Sequence, residues 1–232
     1  MPDAPSKSAV KRAGSNYRKY VRGDITDPAV AQGAIETIQM HRAAHQKPLV
    51  HANNGVRSMA RTVGCSGQVT QRLKRMATIL NKLEREPSLS LDKMQDVGGC
   101  RAVVTSLDDM WRLRDRIQHY HPEARISDYV ESPRSSGYRG IHLIVEYGPG
   151  EPRSIEIQIR TSVMHNWAMF VEGYSGITGT NYKQDGDSDF QLFARLLSEI
   201  SALDEYGQPV PRDLLAAYSA LRERLFPLRG KE

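Results

Sequence analysis

The stretch that most constrains the fold is a pair of alternating segments, 140–147 and 153–160. In the first, Ile141, Leu143, Val145 and Tyr147 share a face. In the second, Ile155, Ile157 and Ile159 share one face, and Glu156, Gln158 and Arg160 share the other. A period of two marks strands with one face in a core. The connection Tyr147-Gly-Pro-Gly-Glu-Pro152 suits a hairpin with a longer loop. The polar face sets a carboxylate, an amide and a guanidinium in a row. Alone, this reads equally well as the wet face of a half-buried strand.

Other segments follow helical and strand patterns in turn. Asp27-Pro28 supplies a cap and a first-turn proline for a helix to about His45. Pro48 interrupts, and another helix is expected over 51–62. In 68–86, Val69, Leu73, Met76, Leu80 and Leu83 recur at spacings of four, three, four and three, which predicts one long helix ended by Pro87. Asp96-Val-Gly-Gly leads into a strand at 100–105, and Ser106 with Asp109 forms a capping-box pattern for a helix to about Tyr120. Residues 124–130 read as a strand and 132–137 as a turn-rich loop. Beyond Thr161 the pattern is helical at about 161–172, 188–204 and 211–225. Together these predict one α/β domain with an α-helical C-terminal region.

Two cysteines, Cys65 and Cys100, are too few for a disulfide scaffold or a four-cysteine zinc site. Both read as small hydrophobes in a reducing cytosol. No apolar run approaches the ~20 residues that span a bilayer. The N-terminus lacks an apolar signal core, so the expected location is cytoplasmic, with no membrane partner. The formal net charge of +5 is unevenly spread: residues 1–22 hold six lysines and arginines against Asp3 alone, so the rest sums to zero. Residues 1–25 are therefore expected to be a basic arm with one short helix, either a solvated tail or a tracker of nucleic-acid phosphates. His41, His45 and His51 have no cysteine nearby and read as surface residues rather than zinc ligands. Trp111 reads as core, and Trp167 as a prop for the helix after the Glu156 strand.

Four groups of residues carry chemical interest. Asp96 precedes Gly98-Gly99, where backbone or ligand can approach closely. With Glu156 on a neighbouring strand it could hold Mg²⁺, which takes one or two carboxylates and fills its octahedron with waters and phosphate oxygens. Lys74, Thr78 and Lys82 are each four apart and would stack along a helix face as a ladder for a triphosphate, or form a solvated basic face. Tyr138 in Gly137-Tyr-Arg-Gly140 could be an exposed stacking platform for a base, or a turn aromatic packed on its neighbours. No one group is decisive.

In combination and order they are distinctive. The runs Arg72-Leu-Lys74…Thr78…Lys82, Asp96-Val-Gly-Gly-Cys-Arg101, Asp128-Tyr129…Gly137-Tyr138-Arg139-Gly140-Ile141-His142 and Glu156-Ile-Gln158-Ile-Arg160-Thr161 resemble the RelA/SpoT synthetase domain over about 50–183. In a chain of this length they resemble a stand-alone small alarmone synthetase. The resemblance implies an α/β (α+β) fold: a mixed five-stranded sheet flanked by helices, nucleotidyltransferase-like, with α-helical N- and C-terminal extensions. The implied division is an arm at 1–25, the synthetase domain at 26–183 and a helical region at 184–232 packed on the same domain. The implied activity is magnesium-dependent transfer of the β,γ-pyrophosphate of ATP to the ribose 3′-hydroxyl of GDP or GTP. Carried over by residue, Arg72 and Arg101 sandwich adenine, and Lys74, Thr78 and Lys82 hold ATP phosphates. Asp96 and Glu156 engage the metal, with Glu156 as a ligand or as the base for the attacking hydroxyl. Tyr138 stacks on guanine, and His142, Gln158 and Arg160 belong to the acceptor side.

There are departures from the family pattern. Thr78 replaces a serine, Met164-His165-Asn166-Trp167 lacks the usual acidic or amide residue and aromatic, and Glu172-Gly173 stands where Glu-His is usual. About 50 residues precede the first motif, too few for the family's hydrolase domain, so no product hydrolysis is expected. A second reading is a toxic small alarmone synthetase that modifies the 3′-CCA end of tRNA and is neutralised by an antitoxin. The basic arm and Arg57, Arg61 and Arg75 favour it. A third is a non-catalytic RNA-binding module, against which Asp96, Glu156, Lys74 and Lys82 stand. The resemblance also suggests a homo-oligomer.

Overall fold

The structure, a computed structural model, describes residues 4–148, 152–180, 182 and 187–227. Its sheet contains β1 (Gly67–Leu73), β2 (Gly98–Val104), β3 (Arg125–Asp128), β4 (Ile141–Tyr147) and β5 (Arg153–Thr161). The order is β1-β2-β5-β4-β3, and only β2 and β5 run parallel. This is the expected mixed five-stranded sheet. The two alternating segments form its β4–β5 hairpin, with Tyr147 opposite Arg153. The tip of the connection, 149–151, lies outside the described residues.

Alternation sorts the sheet into two unlike faces. Ile155, Ile157 and Ile159 are fully buried, together with Ile141, Leu143 and Val145. They pack with Leu49, Ala52 and Val56 of α3 (Gln46–Thr62) and with Met110, Leu113 and Ile117 of α5 (Leu107–Tyr120). The Ser106 hydroxyl caps α5 by accepting from the Asp109 amide, as its spacing predicts. Burying each of these aliphatic side chains stabilises the fold by about 1.5–3 kcal/mol. The other face of the sheet carries the polar residues.

The long helix expected over 68–86 does not form. Residues 67–73 are instead an edge strand paired with β2, and α4 begins at Met76 and ends at Arg85. The apolar spacing of 69–83 fits a helix, but Val69 and Leu73, four apart, also share one face of a strand. Seven cross-strand partners on β2, from Gly67 opposite Val104 to Leu73 opposite Gly98, decide the matter. Lys74 therefore lies outside α4, its amide donating to the Val97 carbonyl.

The N-terminal arm is also not a tail. Residues 7–21 form helix α1 (Lys7–Val21), capped by the Ser6 hydroxyl. Val10, Ala13 and Tyr17 stand three and four apart and are buried against Ile38 of α2 (Pro28–Ala43) and Ile79 and Leu83 of α4. The Tyr17 hydroxyl donates to Glu84 at 2.5 Å, and Arg18 donates to the Leu89 carbonyl. Burial, then the hydrogen bond to Glu84 and its charge, pushes the Tyr17 hydroxyl up to about 12. Lys7, Lys11, Arg12, Lys19 and Arg22 occupy the exposed side.

His41 and His45 are buried, at 5% and 2% exposure, not on the surface. They continue the stripe Ala31, Ala34 and Ile38 along α2 and just past its end, so the helical period already included them.

After β5 come α6 (Ser162–Thr178), α7 (Asp189–Glu205) and α8 (Arg212–Leu225). Phe190, Phe193 and Ala194 of α7 pack on Trp167, Ala168 and Val171 of α6, with Leu221 of α8 and Tyr138 joining them. Trp167 donates to the Ala194 carbonyl at 2.7 Å, a structural role consistent with its expected function as a prop. The expected division at 183/184 falls at residues outside the description, apart from Tyr182.

Candidate active site

Sheet register assembles the polar face. Arg72 lies opposite Gly99, Gly99 beside Glu156, Arg101 beside Gln158, and Gln158 opposite His142. Residues from four strands thus share one surface. Asp96 reaches it from the turn before β2.

Two lobes of one cleft lie above this surface. A smaller lobe of about 220 Å³, over β1 and β2, is lined by Thr70, Arg72, Gly99 and Arg101. A larger lobe of about 600 Å³ is walled by Lys82 and Arg85 of α4, the segment 93–95, Arg134, Tyr138, His142 and Arg160. Lys74, Asp96, Glu156 and Gln158 line both lobes. The two carboxylates therefore stand at the seam, where a ligand in one lobe would meet a ligand in the other.

Each carboxylate is held in its ionised form. Burial pushes the Asp96 carboxyl up, but the hydrogen bonds and charges of Lys74 and Lys82 outweigh it and bring the group below its usual range. Lys74 Nζ donates to Asp96 Oδ2 at 2.5 Å, and Lys82 Nζ reaches both oxygens at 3.2 Å. Burial likewise pushes Glu156 up. The hydrogen bond and charge of His142 and the amide of Gln158 overcome it, against the repelling charge of Asp96, and the result is again below the usual range.

A hydrogen-bonded chain runs outward from Glu156. Gln158 Nε2 donates to Oε2 at 2.7 Å, and His142 Nδ1 lies 2.9 Å from Oε1. The Tyr138 hydroxyl lies 2.5 Å from His142 Nε2 and accepts from Arg160 Nε at 3.1 Å. The Glu156 carboxylate can only accept, so His142 Nδ1 carries a proton toward it. This order orients the imidazole toward Glu156.

Cations crowd the smaller lobe. Burial, then the charges of Arg160 and Arg72, pushes the Arg101 guanidinium down, with Glu172 opposing between them. Arg101 Nε is buried without a hydrogen-bond partner among the described residues. Such a surface favours an anionic ligand with a planar base.

One sequence expectation needs correction here, and two others are narrowed. Arg72, Lys74, Thr78 and Lys82 do not share a helix: Arg72 is on β1, Lys74 follows it, and Thr78 and Lys82 are on α4. Thr78 is exposed and lines neither lobe, whereas Lys74 and Lys82 converge on Asp96. Tyr138 is not an exposed platform. It is 7% exposed, packed with Trp167 and Tyr129, and Arg134 lies 5.6 Å over its ring. Arg160 lines the larger lobe but is itself 3% exposed and engaged with Tyr138 and Gln158.

Sequence reading missed the clamp that holds the Tyr138 loop. Gly137 adopts φ +87°, and a Cβ there would sit 3.1 Å from Arg195 Cα and 3.3 Å from Trp167. Ser198 donates to the Gly137 carbonyl, and Arg139 forms a 2.7 Å ion pair with Glu205 at the end of α7. Glu205 also accepts from the Thr161 hydroxyl at 2.5 Å. These partners lie more than 40 residues apart, which no local pattern reveals.

Two carboxylates at one seam suit Mg²⁺, which needs few protein ligands when phosphates supply the rest. Among the described residues no cluster of three metal-binding side chains forms, so an all-protein cage is not the arrangement here.

Comparison with known proteins agrees with this geometry. Residues 71–186 match the region found in RelA / SpoT proteins. GTP pyrophosphokinase YjbM of Bacillus subtilis is 31% identical over 168 residues, covering 67% of this chain and 77% of that protein. Small alarmone synthetase 2 from Bacillus subtilis superposes with a TM-score of 0.62 at 21% identity, over 73% of this chain and 94% of that one. Small alarmone synthetase 1 from the same organism, bound to its product pppGpp, gives 0.59 at 22% identity, over 70% and 90%. The chain therefore belongs to the RelA/SpoT family.

Proposed function

We propose that this protein transfers the β,γ-pyrophosphate of ATP, with Mg²⁺, to the 3′-hydroxyl of GDP or GTP. The chain is a pyrophosphotransferase, in keeping with its relatives named above. The observation that carries the reading is the seam: Asp96, Glu156 and Lys74 line both lobes of one cleft.

In this reading ATP occupies the smaller lobe, its adenine between Arg72 and Arg101. Its phosphates extend toward Lys74 and Lys82, which would exchange Asp96 for phosphate oxygens. The acceptor nucleotide occupies the larger lobe. For its base to stack on Tyr138, Arg134 must leave the space above the ring. The acceptor 3′-oxygen bonds to Pβ while the Pα–O–Pβ bridge breaks on the Pβ side, and AMP departs. The hydroxyl proton passes to Glu156, whose ionised form is ready to accept it. His142, Tyr138 and Arg160 hold that carboxylate in place. Asp96 and Glu156 would hold the Mg²⁺, which supplies charge neutralisation on the transferring group. Such transfers depend on positioning and charge more than on covalent help.

Transfer to the 3′-CCA end of tRNA is the competing reading. The arm is a packed helix rather than a tail, but its cations Lys11, Arg12 and Lys19 are exposed, as are Arg57, Arg61 and Arg75, which also favour it. The test offers GDP, GTP and deacylated tRNA together with γ-labelled ATP and Mg²⁺. Label on guanosine nucleotides is the expected result; label on tRNA alone would overturn the assignment and begin a search for an antitoxin.

A further inference from the structure

Adjoining the active site is a second cavity, of about 350 Å³, that the proposed reaction does not use. It shares Lys93, Met94 and Gln95 with the larger lobe, and its remaining walls come from α1, α2 and the ends of β3, β4 and β5. A volume of this size is at the lower end of small-ligand sites.

Its inner wall is polar and incompletely paired. His41 is 5% exposed, and neither ring nitrogen has a hydrogen-bond partner among the described residues. His45 Nδ1 lies 2.9 Å from the His41 carbonyl, which can only accept, so Nδ1 carries the proton. In the neutral ring Nε2 of His45 is then an acceptor. The two unpartnered nitrogens of the His41 ring are costly to bury without a ligand. Burial drives both imidazoles toward the neutral form, with the charge of Arg153 acting in the same direction.

Charge around these two rings is unbalanced. Among the described residues, Lys7, Lys93, Arg125 and Arg153 line the cavity together with Asp92 and Glu146, four cations to two anions. The Gln95 side-chain oxygen accepts from Arg125, at 2.8 Å from one of its nitrogens, which ties the cationic rim to the residue before Asp96. Two histidines four apart also suit a divalent metal. Four cations in the same cavity oppose one, and no cluster of three metal-binding side chains forms among the described residues.

We propose that this cavity binds a phosphate-bearing anion. Its oxygens accept from His41 and the cationic rim. Because Lys93, Met94 and Gln95 form a common wall with the larger lobe, occupancy here would be felt beside Asp96. The site does not depend on the identity of the acceptor nucleotide.

The test uses the full chain with ¹⁵N-labelled histidine rings, titrated with sodium pyrophosphate without Mg²⁺. The resonances of His41 and His45 should shift saturably. Lys7→Ala and Arg125→Gln, both at exposed positions, should each weaken that response about tenfold, as loss of a charged hydrogen-bond donor does. Shifts confined to His142 would place the anion in the active site only and overturn the proposal. An undiminished response in both variants would also overturn it. So would a response of His41 and His45 to Zn²⁺ and not to pyrophosphate, which would make the cavity a cation site.

Discussion

Replacing Glu205 by leucine tests whether α7 sets the geometry of the acceptor lobe. Glu205 and Arg139 are 9% and 4% exposed at their side chains, and Glu205 is the one anionic partner that Arg139 has among the described residues. Arg139 Nη2 is already buried without a partner. Removing the carboxylate strands a guanidinium in the interior and leaves the Thr161 hydroxyl without its acceptor. Breaking a buried pair from one side costs about 3–5 kcal/mol, because an uncompensated charge remains. For a chain of this size each kcal/mol moves the melting temperature by about 2–4 °C, so Glu205→Leu should lower it by about 6–20 °C. Replacing both partners, Arg139→Met with Glu205→Leu, removes the stranded charge and should restore most of the loss. Thermal melts of the four proteins close a double-mutant cycle. The surviving Glu205→Leu enzyme, assayed well below its melting point, should show a raised KM for the acceptor with little change for ATP. A melting temperature within about 2 °C of wild type would refute the buried-charge argument, and equal KM changes for both substrates would refute the clamp.

Other perturbations separate the remaining roles. Glu156→Gln keeps the shape but loses the base and one of the two accepted hydrogen bonds, and should lower kcat by about 10²–10⁴-fold in steady-state assays while the far-UV spectrum is unchanged. Tyr138→Phe should weaken acceptor use without unfolding; Tyr138→Ala would confound the assay by opening a core cavity worth about 3–5 kcal/mol. His41 is driven down to about 3 by burial, then by His45 and Arg153, with Asp92 opposing. The unfolded chain binds a proton there from its ordinary 6.5 downward, so stability should fall as pH drops from 6.5 toward 3, and His41→Leu should flatten that limb in denaturant titrations. Asp96 lies below its ordinary 3.8, so its stabilisation is present above that value and lost as pH falls through the lower folded value. Lys74→Met removes its largest stabilising partner and should move the ¹³C carboxyl titration of Asp96 upward.

Much of this arrangement was legible before the structure. The alternation of 153–160 placed Ile155, Ile157 and Ile159 in the core and Glu156 and Gln158 in the cleft, because pleat geometry depends only on local period. The ordered motifs also indicated Asp96, Lys74 and Lys82, which the structure brings to one point. What the period could not resolve was β1. Its apolar spacing satisfied a helix, and only hydrogen bonds to β2, about 30 residues away, make it a strand. Counting charges in 1–22 hid the stripe Val10, Ala13 and Tyr17, whose spacing alone indicated a packed helix. Deleting that segment would therefore strip α2 and α4 of their cover, and charge reversal at Lys11, Arg12 and Lys19 is the sounder probe of tRNA binding. The clamp of Glu205 on Arg139 and Thr161 was beyond reach, since it joins residues 66 and 44 positions apart.

The most direct test of the central claim follows both products of one reaction. The protein is incubated with Mg²⁺, γ-labelled ATP and GDP, alongside Asp96→Asn and Glu156→Gln controls. Equal amounts of AMP and of a labelled guanosine nucleotide carrying a 3′-pyrophosphate, absent from both controls, is the predicted result. Formation of ADP in place of AMP, or full activity in either control, would contradict pyrophosphate transfer at this seam.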